Sequence, residues 1–503
     1  MVRQCLILAV ALGLSVAVEA TASPPAVTEA DAYRIAPVPM PPDVVLEVGG
    51  LEWLPDGRLV VATRRGEIWI ATRPGSDAPQ WQRFAHGLHE VLGLAWKDGW
   101  LYVTQFPEVS RLRDTNDDGE ADVFETVSDG WGLSGDHHEY AFGSKFDRDG
   151  GLWVVLCLTG SDRSDATFRG WALRVTPDGR MLPVACGIRS PGGIGFDTAG
   201  HVLYTDNQGF WNGCCSLRQL VPGDFVGHPA GLKWYHLAPG MGPRPPEPQS
   251  GSRWATEVEK IPALRPPAVM FPYGVMGGSA AGVACDTTGG AFGPFAGQVF
   301  VCDHAHSMLM RCFLETVDGV LQGACFKVRD GFRSGSLALQ FAPDGSLYVG
   351  GTNRGWGSRG AGDFALERVT WTGRTPFEIR AIRAISGGFD LEFTEPVDPT
   401  TATDPASYAV KGFGYILQAS YGSPVVDEMP CPVTRAEPSS DGRHVRLTIE
   451  KLREGIIHEL KASGVRNRAG QALLHDTGWY TLNRLVHSSP SSQQPSAGES
   501  HVD

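Results

Sequence analysis

Leu54-Pro-Asp-Gly-Arg-Leu-Val-Val-Ala-Thr63 sets a tight turn in front of a short β-rich run. The Asp-Gly pair supplies the positive φ that such a turn needs, and the residues after it are apolar or β-branched. The segment therefore reads as the turn and second strand of a hairpin. The phrase returns five times: Lys97-Asp-Gly-Trp-Leu-Tyr-Val-Thr104, Asp147-Arg-Asp-Gly-Gly-Leu-Trp-Val-Val155, Asp197-Thr-Ala-Gly-His-Val-Leu-Tyr-Thr205, the more divergent Phe295-Ala-Gly-Gln-Val-Phe-Val301, and Pro343-Asp-Gly-Ser-Leu-Tyr-Val349. Copies recur roughly every 45 residues, which is the size of one four-stranded propeller blade. One interval is about twice as long, and its proline-rich stretches 239–248 and 262–272 mark an insertion. The sequence thus predicts an all-β protein with a six-bladed β-propeller over residues 36–375.

Working outward, the phrase stops after Thr375-Pro376. Strands of another rhythm follow, such as Gly388-Phe-Asp-Leu-Glu-Phe-Thr394 and His444-Val-Arg-Leu-Thr-Ile449. They predict a separate immunoglobulin-like β-sandwich over 377–483. Residues 484–503 are rich in Ser, Pro and Gln and read as a disordered tail. At the other end, Arg3, an apolar run from Cys5 to Val18 and Ala20-Thr21-Ala22 read as a signal peptide over 1–22. The expected location is periplasmic or extracellular, with no membrane span after cleavage.

The 503-residue chain has a formal net charge of −13, which speaks against a nucleic-acid partner. Ten cysteines include no CxxC pair, so the common zinc ribbons and covalent c-type haem are excluded. Cys302 and Cys312 flank a short turn and are expected to face each other across two strands.

Asp114-Thr-Asn116-Asp-Asp118-Gly119-Glu120-Ala-Asp122-Val-Phe-Glu125 has oxygen ligands at loop positions 1, 3, 5, 9 and 12 and glycine at 6. That is the calcium-loop pattern, with Glu120 offering its backbone carbonyl at position 7. Flanking helices are not evident, so the loop is expected between propeller strands, with calcium in a structural role; the alternative is a solvated acidic turn.

A second cluster, Ser134-Gly-Asp136-His137-His138-Glu139-Tyr140, precedes the third repeat strand. Loops at one end of a propeller converge on its channel, and a histidine there can take a substrate proton. Arg189, in Gly187-Ile-Arg189-Ser190-Pro191, has the planar fork that matches carboxylates. Tyr204-Thr-Asp206-Asn207-Gln208 follows the fourth strand. The Gly-rich stretches read as turns: no phosphate loop, serine elbow or zinc helix occurs.

These loops resemble the soluble quinoprotein glucose/sorbosone dehydrogenase family, six-bladed propellers that use pyrroloquinoline quinone (PQQ) and calcium. The resemblance covers residues of about 45–370 and includes an exported bacterial subgroup whose members are named as membrane-bound dehydrogenases. The family's general-base histidine, ahead of a Phe-x-x-Asp-Gly strand, matches His138 ahead of Phe146-Asp-Arg-Asp-Gly-Gly-Leu-Trp-Val154. Its Gly-x-Arg-Asn-Pro motif matches Gly187-Ile-Arg-Ser-Pro191, which implies that Arg189 contacts cofactor or substrate. Gly331-Phe-Arg333 resembles its late arginine, and Asp162 falls near the carboxylate that supports the histidine. Asp206 and Asn207 complete the implied cofactor contacts. Where the family sets an Asp-Glu pair for calcium under the quinone, this chain has Gly209-Phe-Trp-Asn-Gly-Cys-Cys-Ser216.

Three functions follow as expectations. The first is a PQQ- and calcium-dependent dehydrogenase oxidising a sugar or other alcohol and passing electrons to an external acceptor. The second is a non-catalytic propeller binding carbohydrate or a protein. The third is a metal-dependent, lactonase-like hydrolase, for which Asp206 and Asn207 are the only suggested ligands. The retained His138 and Arg189 favour the first, and the missing Asp-Glu pair favours the second.

Overall fold

The computed structural model describes residues 27–487; the signal-peptide reading of 1–22 and most of the tail, from 488 on, lie outside them. Among the described residues no helix is long and apolar enough to cross a membrane.

Each repeat phrase forms the turn and second strand of one antiparallel blade. Blade one is Val48–Trp53, Leu59–Thr63, Ile68–Thr72 and Gln80–Ala85; blade two is Gly93–Lys97, Trp100–Thr104, Val109–Arg113 and Val123–Ser128. Blade three follows from Ala141 to Cys186, blade four from Pro191 to Leu220 with an outer edge at Val269–Met270, and blade five from Ala280 to Arg329. Blade six takes Ser336–Phe341, Leu347–Thr352 and Phe364–Trp371 from its own segment and Tyr33–Pro37 from the N-terminal side, Tyr33 lying opposite Trp371. The innermost strands contact one another in a closed cycle, the first against the sixth, so the ring has six blades and no open edge on its axis. The glycines of the six turns lie at φ between +79° and +90° (Gly57, Gly99, Gly150, Gly200, Gly297, Gly345). That range strains every residue with a Cβ.

Around the axis the innermost strands crowd. A Cβ on Gly93 would lie 2.3 Å from the Gly143 carbonyl oxygen, and one on Gly192 2.2 Å from that of Ala280. Gly192 and Gly193 therefore lie inside the strand Pro191–Phe196 rather than in a turn, because only glycine permits this approach. The long interval is an insertion within blade four. It runs between that blade's third and outer strands and carries short helices at Pro229–Leu237 and Trp254–Lys260.

The C-terminal region forms two sheets over one core, but it is not separate from the propeller. Ile379–Ile385, Gly388–Phe393, His444–Ile449 and Val433–Pro438 make one sheet. Ala409–Leu417, Ile456–Lys461 and Thr477–Leu482 continue the sheet of blade five, Cys325 pairing with Trp479. Phe326 of blade five packs with Phe389, Leu391, Leu447, Leu460 and Tyr480 in the shared core. Each such side chain contributes about 1.5–3 kcal/mol on burial. Arg311 seals the junction. It is fully buried, lies 3.8 Å and 4.1 Å from the ring centroids of Phe295 and Phe326, and donates to the carbonyls of Ile379 and Arg380 and to Glu378. The outer strands of blade five are long enough to be extended by these partners, which is why an expected boundary became a continuous sheet.

Cys302 and Cys312 do not face each other. The turn closes between Asp303 and Met308, which sets Cys302 opposite Leu309; Cys312 lies opposite Cys325. All nine described cysteines are free.

Candidate functional site

In an antiparallel blade, the first-to-second and third-to-fourth connections emerge at one end. The second-to-third connections and the links between blades emerge at the other. The Asp-Gly turns occupy the first end. The second opens into a cavity of about 260 Å³ lined from every blade, including Arg64, His138, Arg189, Asn207, His304 and Trp356.

His138 and Arg189 thus share one mouth. The turn before His138 is fixed by Asp136, whose Oδ1 accepts from the backbone N–H of His138 (2.8 Å) and of Gly160 (3.2 Å). Glu139, fully buried, accepts from Ser134 and Thr159 and closes the loop beneath. The His138 ring lies 5.2 Å from Trp356 and 4.2 Å from His137, centroid to centroid. Burial lowers its pKa below the ordinary histidine value, and the neighbouring His137 and Arg189 push the same way against Asp136 and Asp162. His138 is therefore neutral at pH 7 and able to accept a proton.

Arg189 does two things. Its guanidinium donates to the carbonyls of Ser161 (3.1 Å), Asn207 (3.4 Å) and Gln208 (2.6 Å), which ties three loops of the mouth together. Among the described residues no carboxylate lies within ion-pair distance of it, so its charge remains available to the cavity. Arg64, by contrast, is ion-paired with Glu90.

Asp206 does not line the mouth. It is fully buried and accepts from the backbone N–H of Arg189 (3.2 Å) and Ser190 (2.8 Å). Asp303 holds Gly278 and Ser279 in the same way one blade on. Both aspartates end a second strand, so they are positioning residues for the loops that enter the innermost strand of their own blade. Asn207 lines the mouth, its amide donating to Ser190 O. Asp162 lies outside the cavity lining, 3.5 Å from Arg163; the carboxylate nearest His138 is that of Asp136, at 3.8 Å. Arg333 is also outside the lining, its backbone N–H donating to Glu367 and its side chain lying against Gly362.

The acidic loop sits at the opposite end, between the third and outer strands of blade two. Asp114 accepts from the N–H groups of Asn116, Asp117 and Gly119, Asp118 from that of Glu120, and Asp122 from Thr115. Glu125 lies 2.6 Å from Arg111. The loop is thus closed by its own hydrogen bonds, and its position-12 carboxylate is engaged elsewhere. Among the described residues, the His, Cys, Asp and Glu ligand atoms that gather within 4.8 Å of one another are those of Asp136, His137 and His138.

Mouth residues that escaped the sequence reading include Arg64, His304 and Tyr421. Arg64 and His304 each follow a repeat strand immediately, as Asn207 does, so aligning the repeats would have flagged them. Tyr421, from the C-terminal region, had no such signal.

A family model described as Domain of unknown function (DUF7133) matches residues 76–350. No curated protein matches the sequence. Among solved structures, the chain is similar to a Thermus thermophilus protein named "putative oxidoreductase (glucose dehydrogenase)". The identity is 22%, covering 67% of this chain and 99% of that one, with a TM-score of 0.50. It is also similar to a Trichoderma reesei protein of Carbohydrate-Active Enzymes Family AA12 (12% identity, 68% and 96% covered, TM-score 0.50). A third is the PQQ-bound aldose sugar dehydrogenase of Streptomyces coelicolor (17%, 67% and 98%, TM-score 0.47). At these identities the likeness is one of fold.

Proposed function

The chain belongs to the family described as Domain of unknown function (DUF7133), and from that premise we propose that it is a dehydrogenase-like propeller whose mouth takes a sugar or another small alcohol. The observation that carries this reading is the meeting of a neutral His138 with the unpaired charge of Arg189 in one cavity. His138 takes the hydroxyl proton as the C–H bond beside it is broken, and Arg189 stabilises negative charge that develops nearby. Trp356 and the blade loops exclude water from one side of the histidine. Asp206 acts through Arg189 by fixing its backbone.

A hydride acceptor is required. PQQ, when bound, supplies it, and a planar anion fits a mouth whose arginine has no carboxylate partner. Calcium beneath it does not fit. The side-chain oxygens lining the cavity are the uncharged ones of Ser, Asn, Gln and Tyr residues, and Asp206 is turned to backbone. Calcium's oxygen ligands ordinarily include carboxylates, whose charge offsets that of the ion. That lack supports the second reading, a sugar-binding propeller without catalysis; the hydrolase reading has no gathered carboxylates at Asp206 and Asn207.

The test is a fluorescence titration with PQQ, with and without calcium, followed by dye reduction against a sugar panel. The expected result is calcium-independent PQQ binding and sugar-dependent dye reduction that His138→Ala removes. Sugar binding without dye reduction in the presence of PQQ would leave the binding module as the function.

A further inference from the structure

Two aromatic side chains on the rim of the mouth keep a large exposed surface that the chemistry above leaves unused. Trp356, from blade six, is 43% exposed, and Tyr421, from the C-terminal region, is 60% exposed. Both line the cavity. Leaving large rings in water gives up the burial that usually holds an aromatic in place. Tyr421 is held nonetheless, through its backbone. Trp211 N–H donates to Gln418 O (2.8 Å), and Gly422 N–H donates to Gly209 O (3.0 Å). Phe210 and Tyr421 form a β-bridge with their rings edge to face at 5.4 Å. The Arg189 guanidinium lies 5.3 Å from the Tyr421 ring centroid. The turn around Tyr421 is therefore fastened to the loop that Arg189 also holds. The fold fixes an exposed ring at the edge of the site from a segment more than two hundred residues further along the chain.

The cavity, at about 260 Å³, lies just below the roughly 300–1,000 Å³ range of small-molecule sites. With a planar cofactor seated at Arg189, the space left takes no more than one sugar ring. A ring that meets the exposed faces on the rim is then the one leaving the mouth. Pyranose rings carry a face of C–H groups with slight positive charge, which matches the negative face of an aromatic ring.

We propose that Tyr421, together with Trp356, is a specificity-determining residue that stacks on the second ring of a saccharide whose terminal ring occupies the mouth. The site is therefore completed by the C-terminal region, and its ligand is an oligosaccharide end rather than a free monosaccharide. This rests on the sugar reading above.

The experiment is calorimetry on the full chain with glucose, maltose, cellobiose and lactose, for the parent, Tyr421→Ala, Tyr421→Phe and Trp356→Ala. The parent is expected to bind at least one disaccharide about tenfold more tightly than glucose. Tyr421→Ala is expected to weaken that disaccharide by about tenfold and glucose by less than about twofold. Tyr421→Phe keeps the parent's preference, since the ring face is retained, and Trp356→Ala lowers it. Because Tyr421 is exposed, the unfolding midpoint of its variants should match the parent's and so separate lost stacking from lost fold. An unchanged preference in Tyr421→Ala, or tighter binding of glucose than of every disaccharide by the parent, overturns the inference and leaves the sugar reading standing. A parent that binds none of the four sugars overturns both.

Discussion

At the end of the propeller where the Asp-Gly turns emerge, the 114–125 loop carries Asp114, Asn116, Asp118 and Asp122, and nearly all of their hydrogen bonds run to backbone within the same loop. At the other end, the polar side chains reach between loops: Arg189 joins the segments of Ser161 and Gln208, and Arg64 reaches Tyr140 and Arg354. One end satisfies its polar groups locally and can be read from a short motif. The other leaves donors and rings aimed into a shared space. A dense local motif thus marks a self-sufficient loop, whereas a ligand site is built from single residues contributed by several blades.

The largest effect expected at the mouth is on turnover. General-base work supplies about 10²–10⁴ in rate, and His138→Ala should lose that much dye reduction while Asp114→Ala at the other end loses none. The pH profile sharpens this. His138 is lowered from its ordinary value by burial, so activity should rise through a midpoint below that value and be level by neutrality. Equal turnover in His138→Ala and the parent would sink the assignment.

Next comes Asp206→Ala, which leaves the buried N–H of Arg189 and the part-buried N–H of Ser190 without their acceptor. Urea unfolding should show a loss of about 3 kcal/mol. A loss confined to activity, with stability unchanged, would make Asp206 a site residue rather than a positioning one.

Stability has its own pH dependence, seated away from both ends. His475 is bound by Glu378 (2.7 Å) and Glu29 (2.9 Å). Burial alone would lower its pKa, but the charge of Glu378 and the bonds to both carboxylates outweigh it and push the pKa up to about 9. A group raised on folding contributes fully below its unfolded value of 6.5 and loses that contribution as pH rises through about 9. A decline of about 3 kcal/mol across that window is expected, and His475→Gln should flatten it. The two histidines thus separate activity from stability, and a stability that stays constant from neutral to alkaline pH would refute this account of His475.

The smallest effect belongs to the acidic loop. Asp114→Ala removes an acceptor for three N–H groups of the loop and should cost about 1 kcal/mol, as a lost side-chain cap does. Calcium is proposed to bind there once Glu125 leaves Arg111. Calorimetry should give heat with the parent and little with Asp114→Ala, and identical traces would leave the loop a plain acidic turn.

The propeller is written in local sequence. Each blade's register is set by a local turn and a two-residue alternation, and six glycines that must adopt positive φ mark those turns without help from distant contacts. Local sequence also located His138 and Arg189, because each sits in the loop just ahead of an innermost strand. Tertiary structure alone decided what lies beside them. The partners of Asp206, the absence of Asp162 from the cavity, and the ring of Tyr421 depend on how loops far apart in the chain meet. The sheet that joins Cys325 to Trp479 depends on pairing across some 150 residues. Such pairing is fixed by packing and edge hydrogen bonds, which leave no short-range pattern in the sequence to read.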